Sequence, residues 1–210
     1  MRTTITILLL AVSLVSAWAQ QMRECFAEMP DSVLPLLTKN NRLDCIDFIE
    51  NGMKAQVRNR FDGFSVLQTL TDRYLSLQLT PSCTVQMRLF HTGNTPSLLC
   101  MVTTVSAPAR QSIIRFYKPS WQPVETGQYI RMPASDDFWN RPDTLSAEDF
   151  GALKHKQDLR LVRAQLSEAD ATLTFSMEAG TVHPDDSVAV ASLLREVCYR
   201  WNGKRFVVQP

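Results

Sequence analysis

From Tyr74 onward, apolar side chains recur at every second residue. Leu75, Leu77 and Leu79 alternate with Tyr74, Ser76 and Gln78, and after Pro81 the pattern resumes as Cys83, Val85, Met87 and Leu89. Alternation of this kind sends successive side chains to opposite faces of an extended chain, so both segments are predicted strands. Gly93-Asn94 leads into an apolar strand from Leu98 to Val105, and Ala107-Pro108 turns into another from Ile113 to Tyr117. Connections this short make consecutive strands antiparallel neighbours. A sheet with an apolar face needs helices or a second sheet to cover it.

Helical signals flank this meander. Asp31 or Ser32 can cap a short helix through Leu37, with Pro35 in its first turns. Asn41 is a candidate N-cap for a second helix, with Asp44 three residues on; Ile46, Ile49 and Met53 follow at helical spacing, and Gly52 permits a break. Asp44, Asp47 and Glu50 share a stripe of that helix and read as a solvated face.

Residues 119–142 hold Trp121, Pro123, Gly127, Pro133 and Trp139 with little periodicity, which suggests a connector with a brief helical turn after Ser135. Beyond it, Ser146 is placed to cap a helix reaching about Lys156, with Leu145 and Phe150 positioned as a hydrophobic staple. Strands are expected from Leu159 to Gln165 and from Ala171 to Glu178. Pro184-Asp185-Asp186-Ser187 opens a further helix, and Val197 to Trp201, Asn202-Gly203 and Lys204 to Val208 read as a hairpin on a two-residue turn.

The predicted class is therefore α+β, with helices packed on largely antiparallel meander sheet. Residues 20–118 and 143–210 form halves on either side of the 119–142 connector, each with about two helices and four strands, unless 20–210 is one continuous domain.

The N-terminus gives a compartment. Arg2 precedes an apolar run from Ile5 to Val15, and Ala17-Trp18-Ala19 has the small-x-small cleavage pattern, so residues 1–19 read as a signal peptide. The run is shorter than the roughly 20 residues needed to span a bilayer, so no membrane span is expected after cleavage. The expected location is the periplasm or the cell surface. Of the 210 residues, 22 are Lys or Arg and 21 are Asp or Glu; removing residues 1–19 takes away Arg2 alone and leaves 21 of each. A surface this evenly charged does not favour a nucleic-acid partner.

Five cysteines, Cys25, Cys45, Cys83, Cys100 and Cys198, follow the cleavage site, and Cys45, Cys83 and Cys100 sit among apolar neighbours as core residues do. No cysteine or histidine spacing matches a metal site, and no cofactor is expected. The imidazoles are His91, His155 and His183, and the sequence has neither a GxSxG elbow nor a glycine-rich phosphate loop. His183 lies beside Asp185 and Asp186 at a predicted helix start, where a loop histidine next to a capping aspartate is the simpler reading. A catalytic reading would join His183 and Asp185 to Cys198, or His183 to Cys25, as a thiol-dependent hydrolase.

Two surfaces suggest binding instead. Phe116, Tyr117, Trp121, Tyr129, Phe138 and Trp139 bracket the connector and would either seal the halves together or offer an aromatic patch at Trp121, Tyr129 and Trp139. Arg88, Arg115, Arg160 and Arg163 fall on alternating strands, where Arg88 and Arg115 would present a basic sheet face to an acidic partner.

The run from Met29-Pro30-Asp31-Ser32 through Leu43-Asp44, with Ile46-Asp47-Phe48, Met53-Lys54-Ala55, Tyr74-Leu75-Ser76-Leu77 and Trp201-Asn202-Gly203-Lys204-Arg205-Phe206, resembles an uncharacterised family of secreted proteins from Bacteroides-like anaerobes. That family is catalogued as domain of unknown function 3256. The resemblance covers the chain after residue 19 and implies an envelope-type secreted protein, with no activity to carry over. Helices followed by a four-stranded meander also look like the repeat of β-lactamase-inhibitor-type proteins, at the level of fold alone. The function expected from these readings is a binding or protein-interaction module, directed at an envelope protein or cell-surface ligand; the alternative is the Cys/His hydrolase.

Overall fold

The computed structural model describes residues 21–92, 95–106, 109–157, 159–178 and 182–209. The signal-peptide reading of residues 1–19 lies outside them, as do the two turns at 93–94 and 107–108.

Seven strands form a sheet in chain order: β1 (Gln56–Arg58), β2 (Phe64–Leu70), β3 (Tyr74–Thr80), β4 (Cys83–Thr92), β5 (Thr95–Ser106), β6 (Arg110–Tyr117) and β7 (Pro123–Val124). Every pairing is antiparallel. The meander is thus longer than the four strands expected. β1 and β2 escaped the sequence reading because β1 is three residues long and β2 shifts register between Leu67 and Thr69, which breaks the alternation.

One face of this sheet carries Leu75, Leu77, Val85, Met87, Leu89, Leu99 and Met101. It packs under α1 (Gln21–Ala27) and α2 (Lys39–Glu50). In α1, Met22, Cys25 and Phe26 are buried at helical spacing, although the surrounding Gln21, Arg23 and Glu24 give it a polar look in sequence. The helix expected from Asp31 or Ser32 is instead a succession of turns. The Asp31 carboxylate accepts from Arg42 and Arg60 rather than from backbone amides, and Arg42 draws the Met29 and Leu37 carbonyls inward. The cap of α2 is Thr38, not Asn41: Thr38 and Asn41 bond reciprocally as a capping box, three residues earlier than expected. Gly52, at φ +67°, follows the helix end in the left-handed region that glycine adopts without strain.

The other face carries Tyr74, Phe90, Leu98, Cys100, Val102 and Phe116 and packs on a second, four-stranded antiparallel sheet ordered β11-β10-β9-β8. Its strands are β8 (Val162–Leu166), β9 (Thr172–Met177), β10 (Val197–Trp201) and β11 (Phe206–Val208), which contribute Ala164, Leu166, Leu173, Phe175, Val197, Tyr199 and Phe206 to the shared core. Leu98 to Val102 of β5 are buried on both faces, which is why that strand reads as a continuous apolar run. The β10–β11 hairpin closes through four residues, Asn202 to Arg205, rather than two; Asn202 Oδ1 accepts from the Lys204 and Arg205 amides, and Gly203 takes φ +95°.

β8 is joined to the larger sheet by side chains. Its outward amides at Val162, Ala164 and Leu166 donate to Gln111 Oε1 (3.2 Å), Ser112 Oγ (2.9 Å) and Gln86 Oε1 (3.1 Å). The Phe206 amide of β11 donates to the Tyr129 carbonyl at 2.8 Å. Both edges of the smaller sheet are therefore engaged by the rest of the chain.

The connector contributes Ile130 and Phe138 to the shared core, and its 3-10 turn at Ser135–Phe138 matches the expected turn after Ser135. α3 (Ala147–His155) begins on Ser146, whose hydroxyl accepts from the Asp149 amide, as expected. α3 and α4 (Pro184–Ser192) build a third cluster from Trp139, Val182, Val190 and Leu193, against which Leu145 and Phe150 pack. Among the described residues no helix is long and apolar enough to cross a membrane.

Candidate functional site

The sequence-predicted residues do not gather at one place. Trp121 is buried in the helix-side core: its indole donates to the Cys25 carbonyl at 2.8 Å and its ring lies 5.3 Å from that of Tyr117. It sits at φ +64° in the tight turn between β6 and β7. Trp139 packs edge-on to Phe150 at 6.1 Å, with the Lys154 ammonium 5.9 Å from its ring. Tyr129 is half-buried between Phe116 and Trp201, inside an aromatic series that also includes Phe90 and Phe206. These rings seal the layers of the fold together.

Arg88 and Arg115 lie on opposite faces of the seven-stranded sheet. Arg88 stands opposite Tyr74 and Cys100, on the face turned to the second sheet; Arg115 stands opposite Met101, on the helix side, and is exposed. Arg163 points outward from β8, donating to Gln165 at 2.6 Å.

Among the described residues no hydrogen bond joins His183 to Cys198 or Cys25. His183 caps α4, its Nδ1 accepting from the Asp185 amide at 3.4 Å, and its side chain is 71% exposed. Cys198 is half-buried in β10, where its sulfur lies 3.6 Å from Thr174 Oγ1. Burial pushes the Cys25 thiol up to about 11, with the Glu24 carboxylate adding to it, so that sulfur stays protonated at neutral pH. Burial likewise drives Cys45 up to about 11 and raises Cys100. Among the described residues no group of three or more His, Cys, Asp or Glu side chains is placed to hold a metal ion.

A different arrangement surrounds Arg88. Two turns distant in sequence meet there: Thr71–Arg73, between β2 and β3, and Ser167–Asp170, between β8 and β9. Thr71 Oγ1 accepts from the Tyr74 amide (3.0 Å), and the Arg73 carbonyl accepts from the Leu89 amide (2.8 Å). In the second turn Ser167 Oγ accepts from the Asp170 amide (3.1 Å), and Asp170 Oδ1 accepts from Thr172 Oγ1 (2.6 Å). The Thr172 and Ser167 hydrogen bonds, with Arg200 3.6 Å away, hold the Asp170 carboxyl below its ordinary range.

Between the turns lies an open polar cleft of about 790 Å³, lined by Thr71, Asp72, Arg73, Arg88, Glu168 and Ala169. A second hollow of about 520 Å³ adjoins it through Glu168 and Ala169 and extends past Tyr74 towards Glu196. Arg88 is the innermost charged group, only 7% exposed. Its Nη1 donates to the Ser167 and Glu168 carbonyls, each at 2.8 Å, and its buried Nε has no acceptor among the described residues. Burial, with Arg73 nearby, lowers Arg88 from its ordinary value, while Asp170 and Glu168 oppose that shift. A guanidinium with an unmatched donor beside an open polar cleft is equipped to take an anionic acceptor.

Sequence reasoning singled out Arg88 only as part of a basic sheet face with Arg115, and did not single out Thr71, Asp72, Arg73, Glu168 or Ala169. These residues sit in turns that nothing in the sequence pairs. The one available signal is Arg88 itself, a charge set between the buried Met87 and Leu89 of a strand.

A family model described as "Protein of unknown function (DUF3256)" matches residues 14–206. No curated protein matches the chain. Among solved structures, a domain of an uncharacterized protein from Porphyromonas gingivalis W83 is similar, with a TM-score of 0.75 and 26% identity over 90% of this chain and 99% of that one.

Proposed function

The chain belongs to the DUF3256 family of proteins of unknown function, and from that premise we propose that it is an exported binding module whose ligand seats in the polar cleft at Arg88. The observation that carries this reading is the Arg88 guanidinium, which lines the cleft although nine-tenths buried, and whose covered Nε has no acceptor among the described residues. An unmatched buried donor on a cation costs stability, and a ligand acceptor removes that cost. The signal-peptide pattern of residues 1–19 supports a location in the periplasm or at the cell surface.

The test is an amide chemical-shift titration of the labelled protein with an envelope extract of its own organism, split into protein and small-molecule fractions. Binding at the cleft moves the signals of Thr71–Arg73 and Glu168–Ala169 together, and these shifts need a higher ligand concentration in Arg73→Gln. Shifts confined to other surfaces, or none with either fraction, overturn the reading.

A further inference from the structure

The cleft carries both signs of charge. Arg88 and Arg73 stand on one side of the ledger, Asp72 and Glu168 on the other, and all four line the same hollow. Among the described residues, Asp72, Arg73 and Glu168 form no ion pair within 4.0 Å. By contrast Asp170, just outside the cleft, is already engaged by Thr172 and Arg200.

The guanidinium of Arg88 is oriented by the bonds it makes. With Nη1 donating to the Ser167 and Glu168 carbonyls, the group cannot rotate, and its remaining donors lie along the Nε–Nη2 edge. That edge is one of the two forks through which arginine grips a carboxylate; its Nε end is covered, so a ligand in the cleft engages both donors only by displacing that cover. Arg73 repels Arg88, and an anion between them relieves that repulsion. A simple anion, however, would also face Asp72 and Glu168, which favour a cation.

Resting on the binding reading above, we propose that the cleft recognises a short zwitterion, a free amino acid or small peptide, with its carboxylate at Arg88 and Arg73 and its ammonium at Asp72 and Glu168. A volume of about 790 Å³, continuous with the adjoining hollow, accommodates either source.

The probes are L-alanine, trialanine, and trialanine blocked as its amide, as its N-acetyl derivative, or at both ends, each titrated into the full chain by calorimetry and amide shifts. Trialanine or alanine is expected to bind, and blocking either end to weaken binding about tenfold or more, as loss of a charge-assisted contact does. Binding of alanine as tightly as trialanine identifies the amino acid as the ligand; a clear preference for trialanine identifies the peptide. Arg73→Gln should reduce the penalty for the amide, and Glu168→Gln should reduce the penalty for acetylation. Both residues are exposed, so both variants keep the fold, whereas Arg88→Gln also frees the β8–β9 turn.

Equal binding of blocked and free peptides overturns the zwitterion while leaving a peptide-binding cleft. Failure of every probe to shift Thr71–Arg73 and Glu168–Ala169 also overturns it; the binding reading then falls only if the envelope fractions leave those signals unmoved as well.

Discussion

The carboxylate of Asp31 is shared between two arginines: Oδ1 accepts from Arg42 Nη1 and Oδ2 from Arg60 Nη2, each at 2.9 Å. One side chain thereby ties α2 to the turn between β1 and β2. Arg42 is 1% exposed and also donates to the Phe26, Met29 and Leu37 carbonyls, so it holds the whole segment between α1 and α2 in place. Arg42→Ala leaves those carbonyls unmatched in the core and is expected to destabilise the protein by about 3 kcal/mol or more. Asp31→Ala, at a half-exposed site, is expected to cost about 1 kcal/mol. Urea unfolding of the two variants checks both the order and the size.

The side-chain clasp on β8 makes a separate expectation. Ser112→Ala leaves the Ala164 amide without its acceptor, and Gln86→Ala removes both the acceptor for Leu166 and the donor to Tyr74 Oη. Each is expected to cost about 1–2 kcal/mol. Hydrogen exchange at Ala164 and Leu166 should accelerate selectively, while exchange along β5 stays slow.

Thiol burial sets the behaviour at alkaline pH. Cys25 and Cys45 rise from an ordinary 9.0 to about 11, so the unfolded chain loses these protons before the folded one does. Their contribution to stability is therefore complete below about pH 9 and declines as pH climbs towards 11. Replacing both with alanine should flatten that decline in denaturation curves at about pH 8 and about pH 10.5. Iodoacetamide at about pH 8 should label Cys25, Cys45 and Cys100 only after unfolding.

Trp121 separates packing from hydrogen bonding. Trp121→Phe keeps a ring beside Tyr117 but gives up the bond to the Cys25 carbonyl, for an expected loss of about 1–2 kcal/mol. Trp121→Ala empties the site and should cost about 3–5 kcal/mol. Thermal unfolding followed by circular dichroism distinguishes them.

Much of the architecture is written locally. Alternation marked β3 to β6, Ser146 announced α3, and Pro184 with its following aspartates announced α4, because each signal depends on a few neighbouring residues. Arg42 and Asp31 show where local reading stops: an aspartate that looks like a cap is recruited by an arginine eleven residues away. The cleft lies further still from local rules. Arg88 bonds to carbonyls 79 and 80 residues downstream, and only the stacking of two sheets brings Asp72 near Glu168. Trp121 and Trp139 leave seal and patch both open in sequence, because the proline-rich stretch that holds them has no periodicity to mark the core it crosses.

The clasp on β8 also bears on self-association. A strand edge closed by neighbouring backbone can be opened only by pulling a strand away, but this one is closed by the side chains of Gln86, Gln111 and Ser112. Ordinary point substitutions can therefore strip its cover while every strand stays where it is, leaving three amides in a row to template another molecule. Those three polar residues are gatekeepers, and the lesions most able to make this chain polymerise lie on the strands that face β8 rather than on β8 itself.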